Sequence, residues 1–396
     1  MTVRSSSNGF KQPICGPLSG GNLPWREIWR GSTEKVPCLP FSSGRRRVRC
    51  HRFSRWCTMS ILLERRRTRT SLRSRLEALD QGTLVLGLIV AMLILGGLTT
   101  QGFLTTGNLS VVLRFSAAIG VVAIAQAFVV LGRGVDLSVG AMALVAGQVT
   151  LELMSRGWPE LAAIGATVGV ALILGLVNGF LVAVVGVPAL LATLGTGQLL
   201  LGGIKVGLLQ TNLYSVSPDA LLRRLGMGNI LGIPTAVFWL LVVIALSWFC
   251  WTYTSFGRLL RAIGDNPDTA WQMGGPVRRV QIGSYLIAAL LSAFAGYLIM
   301  AREGSVTTTG TAFSPLLFAA LTAVVIGGVS LSGGRGSVLG IVAGTIFISL
   351  IVNLLTLNSL SPALQDLANA LTLVVAIVLD AWLHPRDEET AKSGDL

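Results

Sequence analysis

Residues 161–185 read LAAIGATVGVALILGLVNGFLVAVV, a run with no charged side chain. A helix of about 20 apolar residues crosses the roughly 30 Å hydrocarbon core of a bilayer. This run is longer than that and is rich in glycine, which suits close packing of helices in lipid. It is therefore read as a membrane span.

Working outward from it, similar apolar runs lie near 83–100, 109–131, 138–155, 188–209, 235–253, 281–301, 316–331, 338–357 and 366–383. With 161–185 they make ten candidate spans, the one at 316–331 being short. The expected fold class is all-α: a polytopic transmembrane helical bundle of about ten spans. Composition agrees, since 52% of the 396 residues are hydrophobic and only 12% are charged. A soluble domain carries roughly 25% charged residues. Glycines four apart (Gly165/Gly169, Gly175/Gly179 and Gly336/Gly340/Gly344) place small residues on single helix faces, as close helix packing requires.

Two boundaries are marked by local chemistry. Gly186 is suited to break the helix ending there, and Pro188 to open the next one. Asp136 and Ser138 precede an apolar run, where a side-chain oxygen caps free backbone amides. Orientation follows from basic residues, which concentrate in cytoplasmic segments. With the N-terminus inside and counting from Met59, that side holds fourteen Lys/Arg: six in the leader, then Arg133, Arg258, Arg261, Arg278, Arg279, Arg335, Arg386 and Lys392. The opposite side holds Arg156, Arg223, Arg224 and Arg302. Both termini are thus expected in the cytoplasm.

The net charge of +13 is uneven. Residues 1–58 hold eleven Lys/Arg against two Asp/Glu, together with Cys15, Cys38, Cys50 and Cys57. This stretch is read as a disordered basic extension or as sequence upstream of a true start at Met59. Residues 59–82 follow as a cytoplasmic leader, 83–383 as the membrane domain, and 384–396 as a cytoplasmic tail. A basic run such as Arg45–Arg49 is also compatible with nucleic acid, but nothing else in the chain supports that partner.

Catalytic and metal chemistry find no foothold. His51 and His384 are the only histidines, and Cys250 is the only cysteine of the apolar part. No P-loop, nucleophile elbow or zinc-protease motif occurs, so no catalytic residue, metal ligand or bound cofactor is assigned. Arg114, Asp136, Glu152, Lys205, Asp366 and Asp380 all lie within about six residues of a span end. A charge at the bilayer centre costs about 2.5–3.5 kcal/mol, and ion-coupled carriers place such groups there. The driving energy is therefore expected to come from another chain.

The connection 254–280 is the longest internal polar one expected on the cytoplasmic side. Asn266 can cap, Pro267 suits a first helical position, Asp268 favours the amide-rich end, and Gly274 stands just past the end. This predicts a short surface helix over 267–273. Residues 129–140 (VVLGRGVDLSVG) and 324–333 (VVIGGVSLSG) echo one another, through chance or common origin.

Four stretches carry a resemblance: GRGVDLSVGAMALVAG (132–147), VPALLATLGTGQLLLGG (187–203), FGRLLRAIGDNPDTAWQMGG (256–275) and VVIGGVSLSGGRGSVLGIVAG (324–344). In this order and spacing they resemble the ribose-type sugar permeases of ATP-binding-cassette importers. The resemblance implies a second permease copy or paralogue, cytoplasmic ATPase subunits carrying the ATP and magnesium, and a periplasmic or lipid-tethered solute-binding protein. It also implies residence in a bacterial inner membrane. By the same resemblance Gly257, Arg258, Ala262, Gly264, Asp265, Asn266, Pro267, Ala270 and Gly274 form the region that couples to the ATPase, with Ala270 the small residue facing it. The signature turns are Gly132, Asp136, Leu137, Ser138 and Gly140, then Gly327, Gly328, Gly333, Gly334 and Gly336. Arg133 stands where the family pattern has glycine. Gln126, Asn178, Thr193, Gln198 and Asn353 are candidates to line a polar path, and each equally suits a helix-to-helix hydrogen bond. A branched-chain amino-acid permease and an ion-coupled carrier are the alternative functions.

Overall fold

The structure is a computed structural model that describes residues 81–209, 213–230, 232–307 and 315–383. The extension 1–58, nearly all of the leader and the tail lie outside the described residues. Helices appear at every candidate span: α1 Gln81–Thr99, α2 Thr106–Leu131, α3 Ser138–Ser155, α4 Glu160–Phe180 and α5 Ala189–Gly207. After the short β1 Leu213–Ser215, α6 Leu221–Met227, β2 Asn229–Ile230 and β3 Ile233–Pro234 comes α7 Thr235–Tyr253. Then follow α8 Ser255–Asp265, α9 Pro267–Gln272, α10 Val277–Glu303, β4 Ser305–Thr307, α11 Pro315–Ile326, α12 Val338–Leu357 and α13 Pro362–Leu383.

Among the described residues, eight helices are long and apolar enough to cross a membrane, and α11, at twelve residues, is not one of them. The expected span 316–331 is corrected accordingly. Its helix stops at Ile326, where Gly327 packs its backbone against Gly340 and Gly328 turns at φ 83°. Twelve residues reach only about 18 Å, short of a full crossing. The chain approaches α11 instead through β4, which pairs antiparallel with β1 (Leu213 opposite Thr307).

The bundle centres on α2 and α10, which pack on each other; α10 also packs on α3 and α4. Every residue of α2 from Ser116 to Leu131 is buried, which is why that run is apolar all round. By contrast α1 and α5 expose Leu98, Leu199 and Val206, as helices facing lipid do. Two glycine faces serve close packing. A Cβ on Gly175 or Gly179 would lie 2.8 and 2.7 Å from the Leu286 and Ile282 Cα atoms of α10, and Gly340 and Gly344 meet the backbone of α11. Gly165 and Gly169 do not follow this rule: a Cβ at either meets nothing within 4 Å.

The predicted short helix forms as α9, and within the same connection it is preceded by a second helix, α8. In α8, Leu260 and Ile263 are fully buried while Arg258 and Ala262 are exposed. The i, i+3 recurrence and the Thr254 cap, whose hydroxyl accepts from Gly257 N at 3.1 Å, are the signals for it.

Candidate functional site

Three segments meet at one end of the bundle. The Gly334 amide donates to Leu131 O at 3.0 Å, at the end of α2. Arg133 Nε donates to Ser332 O at 3.1 Å. Gly264, in the last turn of α8, leaves no room for a Cβ between Leu131 O and Gly334. The two echoing stretches, 129–140 and 324–333, therefore touch, and α8 is wedged onto their junction. Arg133 sits at φ 68°, a left-handed conformation costly for a side-chain-bearing residue. Gly333 and Gly334 also have positive φ. Gly132 ends α2, its amide donating to Val129 O at 3.0 Å, and Gly140 lets α3 approach Leu317 of α11. Gly336 stands against Val329.

Beneath this junction lies a buried polar chain. Asp136 is 1% exposed and its Oδ1 accepts from Ser138 N at 2.8 Å and Ser138 Oγ at 2.6 Å. Asp136 thus ties down the first turn of α3, whereas Ser138, also expected to cap, lies inside the helix. Burial pushes the Asp136 carboxyl up to about 6, against the pull of the Ser138 donors. Asn178 Nδ2 donates to Ser138 Oγ at 2.8 Å, and Thr196 Oγ1 donates to Asn178 Oδ1 at 2.5 Å. Leu137 N donates to Thr193 Oγ1 at 3.0 Å. Gln126, with its amide oriented to suit both partners, donates to Asp136 O at 2.8 Å and accepts from Asp136 N at 3.3 Å. Gln126, Asn178 and Thr193 are thus hydrogen-bonded to the turn rather than lining an open path. Gln198 is not brought to them: it is exposed on α5. Asn353 lies elsewhere, paired with Asn108 through two bonds of 2.9 and 2.8 Å.

Outside the junction, α8 and α9 present a surface. Asn266 Oδ1 accepts from Thr269 N at 3.0 Å, Pro267 opens α9, and Gly274 leaves it at φ 79°. The expectation for Ala270 is corrected: it is 6% exposed and packs into the chain's own core. The outward residues are Trp271, 71% exposed, and Met273, 84% exposed, beside Ala262, Asp265, Asp268 and Thr269. Large apolar side chains in a short, capped, otherwise polar helix were the signal for them. Asp265 also abuts Gly334, so the surface connects directly to the junction.

The opposite end is bound together by charge. Glu152 is buried, accepting from Arg156 Nε at 2.5 Å and from the Tyr214 hydroxyl. The Glu160 carboxylate caps α6 by accepting from Leu221 N at 2.9 Å and Leu222 N at 2.8 Å. Arg114 donates to Gly226 O at 2.8 Å and Asn229 Oδ1 at 2.8 Å. Charge is therefore buried here with its partners supplied. At this end a cavity of about 440 Å³ opens between α2, α3, α10, α11, α12 and α13.

The family described as "Branched-chain amino acid transport system / permease component" matches residues 108–379. The fructose import permease protein of Rhizobium meliloti is 32% identical over 309 residues, 76% of this chain and 84% of that one. The ribose import permease protein of Haemophilus influenzae is 30% identical over 299 residues, 74% of this chain and 91% of that one. The D-allose transport system permease protein of Escherichia coli is 31% identical over 298 residues, 75% of this chain and 89% of that one. No solved structure matches the chain.

Proposed function

Because the chain belongs to this permease family, in its ribose-type sugar branch, we propose that it is the membrane-spanning subunit of an ATP-driven importer that moves a neutral sugar into a bacterial cytoplasm. The α8–α9 pair carries the proposal. Two capped helices stand outside the bundle, hold one face against its core, and offer Trp271 and Met273 to a partner. An exposed aromatic beside acidic and polar neighbours is the usual anchor of a protein interface. The partner in this reading is a cytoplasmic ATPase, and the basic-residue asymmetry supports a cytoplasmic position for this face and for both termini.

Nucleotide-driven movement of that partner would pass from α9 to α8, and from Gly264 and Asp265 into the junction of the 132–138 and 327–337 turns. The junction holds the inner ends of α2, α3, α11 and α12. A shift there therefore changes how these helices meet without unfolding any of them. The outer connectors β1, β4 and α6 are the surface for a solute-binding protein, and a second permease copy completes the pathway. Proteoliposomes holding the chain with its ATPase and binding protein test the reading. Uptake of D-ribose, D-fructose or D-allose should require ATP and survive ionophores. Uptake driven by an ion gradient with no ATPase present would overturn it.

A further inference from the structure

Gln198 stands at the middle of α5, nine residues from Ala189 and nine from Gly207, so about 14 Å of helix separates it from either end. The residue is exposed, and its amide makes no hydrogen bond among the described residues. Elsewhere the outward middle of a span is apolar, as with Val90 of α1 and Leu241 and Leu246 of α7. Lipid chains offer an amide neither donor nor acceptor, so such a side chain at mid-span belongs against another helix. The helix around Gln198 is also bare. Gly195 and Gly202, seven residues apart and hence on one face, leave the backbone open: a Cβ at either meets nothing within 4 Å. Leu199 and Val206 complete that face, 76% and 91% exposed. In the single chain, then, α5 has the exposure of a lipid-facing helix but not the chemistry of one.

We propose that this face of α5 packs against the same face of a second copy of the chain, with the two Gln198 amides hydrogen-bonded to each other across the symmetry axis. Two copies that act together in one membrane keep the same side inward, so the two-fold axis relating them runs along the membrane normal. Each residue on such a face then meets its own counterpart at equal depth. A carboxamide carries both donor and acceptor and is therefore its own complement, which a carboxylate or an ammonium is not. Gly195 and Gly202, one on each side of Gln198 along the helix, let two backbones approach closely enough for the amides to reach, as small residues do where membrane helices cross. Lys205 would repel its counterpart, but it lies in the last turn of α5, where its long side chain can carry the charge to the membrane surface. The proposal rests on the importer reading for the presence of a second copy, and adds which helix that copy meets and through which side chain.

The test is cross-linking of the full chain in bacterial membranes, with two differently tagged copies produced together and the five natural cysteines replaced by serine. Under copper-phenanthroline, Gln198→Cys should give a covalent pair carrying both tags, at least tenfold more of it than Leu246→Cys on α7. Adding Gly202→Leu to Gln198→Cys should cut the pair at least tenfold with the melting temperature unchanged, because nothing in the chain itself lies near that Cβ. Gln198→Leu, similar in size, should reduce energy transfer between labelled copies in liposomes at least fivefold. Equal cross-linking at Gln198→Cys and Leu246→Cys, or an adduct with some other protein instead, would overturn the interface. So would Gln198→Leu copies that associate as well as the natural chain and melt higher, the result for an amide that faces lipid. Uptake is read separately. Pairing through α5 without ATP-driven uptake would sink the importer reading and leave the interface. ATP-driven uptake undiminished in Gly202→Leu would do the reverse.

Discussion

Asp136 shows how a single side chain can be legible in type and yet depend on its surroundings in detail. A short acidic side chain before an apolar run reads as a cap, and its oxygen does hold the first turn of α3. Its link to Asn178 and Thr196, 40 and more residues on, could not be read from the local pattern. Asp136→Asn keeps an acceptor and should retain most folded yield and transport. Asp136→Leu should cost about 0.5–2 kcal/mol and lower yield. The carboxyl's raised pKa has a definite sign. The folded state holds the proton more tightly, so this group's contribution is full below about pH 3.8 and fades as pH rises toward about 6. Melting of the natural chain in detergent should therefore show a downward slope between those values that Asp136→Asn lacks. Tyr285 is 2% exposed and its hydroxyl has no partner among the described residues. Tyr285→Phe should melt no lower than the natural chain, and a fall of several degrees would mean that the hydroxyl is paired in the bilayer.

Helices differ from one another mainly in what their small residues meet. Gly340 and Gly165 look alike in sequence, each belonging to a four-residue glycine spacing. Only Gly340 lies against another helix's backbone, at Gly327. Gly340→Val should therefore separate α11 from α12 and sharply reduce folded yield. Gly165→Ala, with open space around it, should be neutral or stabilise by up to about 1 kcal/mol. Equal behaviour of the two would contradict the packing. In α9 the contrast is between neighbours. Trp271→Ala should leave insertion and yield normal while reducing co-purified ATPase and uptake at least fivefold. Ala270→Arg should damage yield itself, because Ala270 lies in the core. Normal uptake by Trp271→Ala would move the docking face away from α9.

For the whole molecule, the end holding α9 and the end holding β2 are predicted to lie on opposite sides of the membrane. A cysteine at Thr269 should react with an impermeant maleimide in inverted vesicles only, and one at Asn229 in intact cells or right-side-out vesicles only, both residues being exposed. Labelling of Thr269→Cys from outside would reverse the orientation and with it the direction of coupling.

Composition and spacing alone determined the all-α membrane bundle, the position of every long helix and the α9 cap at Asn266. Each of these rests on local physics: apolar length against bilayer thickness, and cap chemistry within one turn. What only the tertiary structure decided are the matters of distance between segments remote in the chain. It turned Ala270 inward and Trp271 outward, and ended α11 at Ile326 where two glycine backbones meet. It bound Gln126, Asn178 and Thr193 to the Asp136 turn, and it gathered six helices around one cavity. In lipid both faces of a helix are apolar, so periodicity cannot say which side meets protein; only packing does.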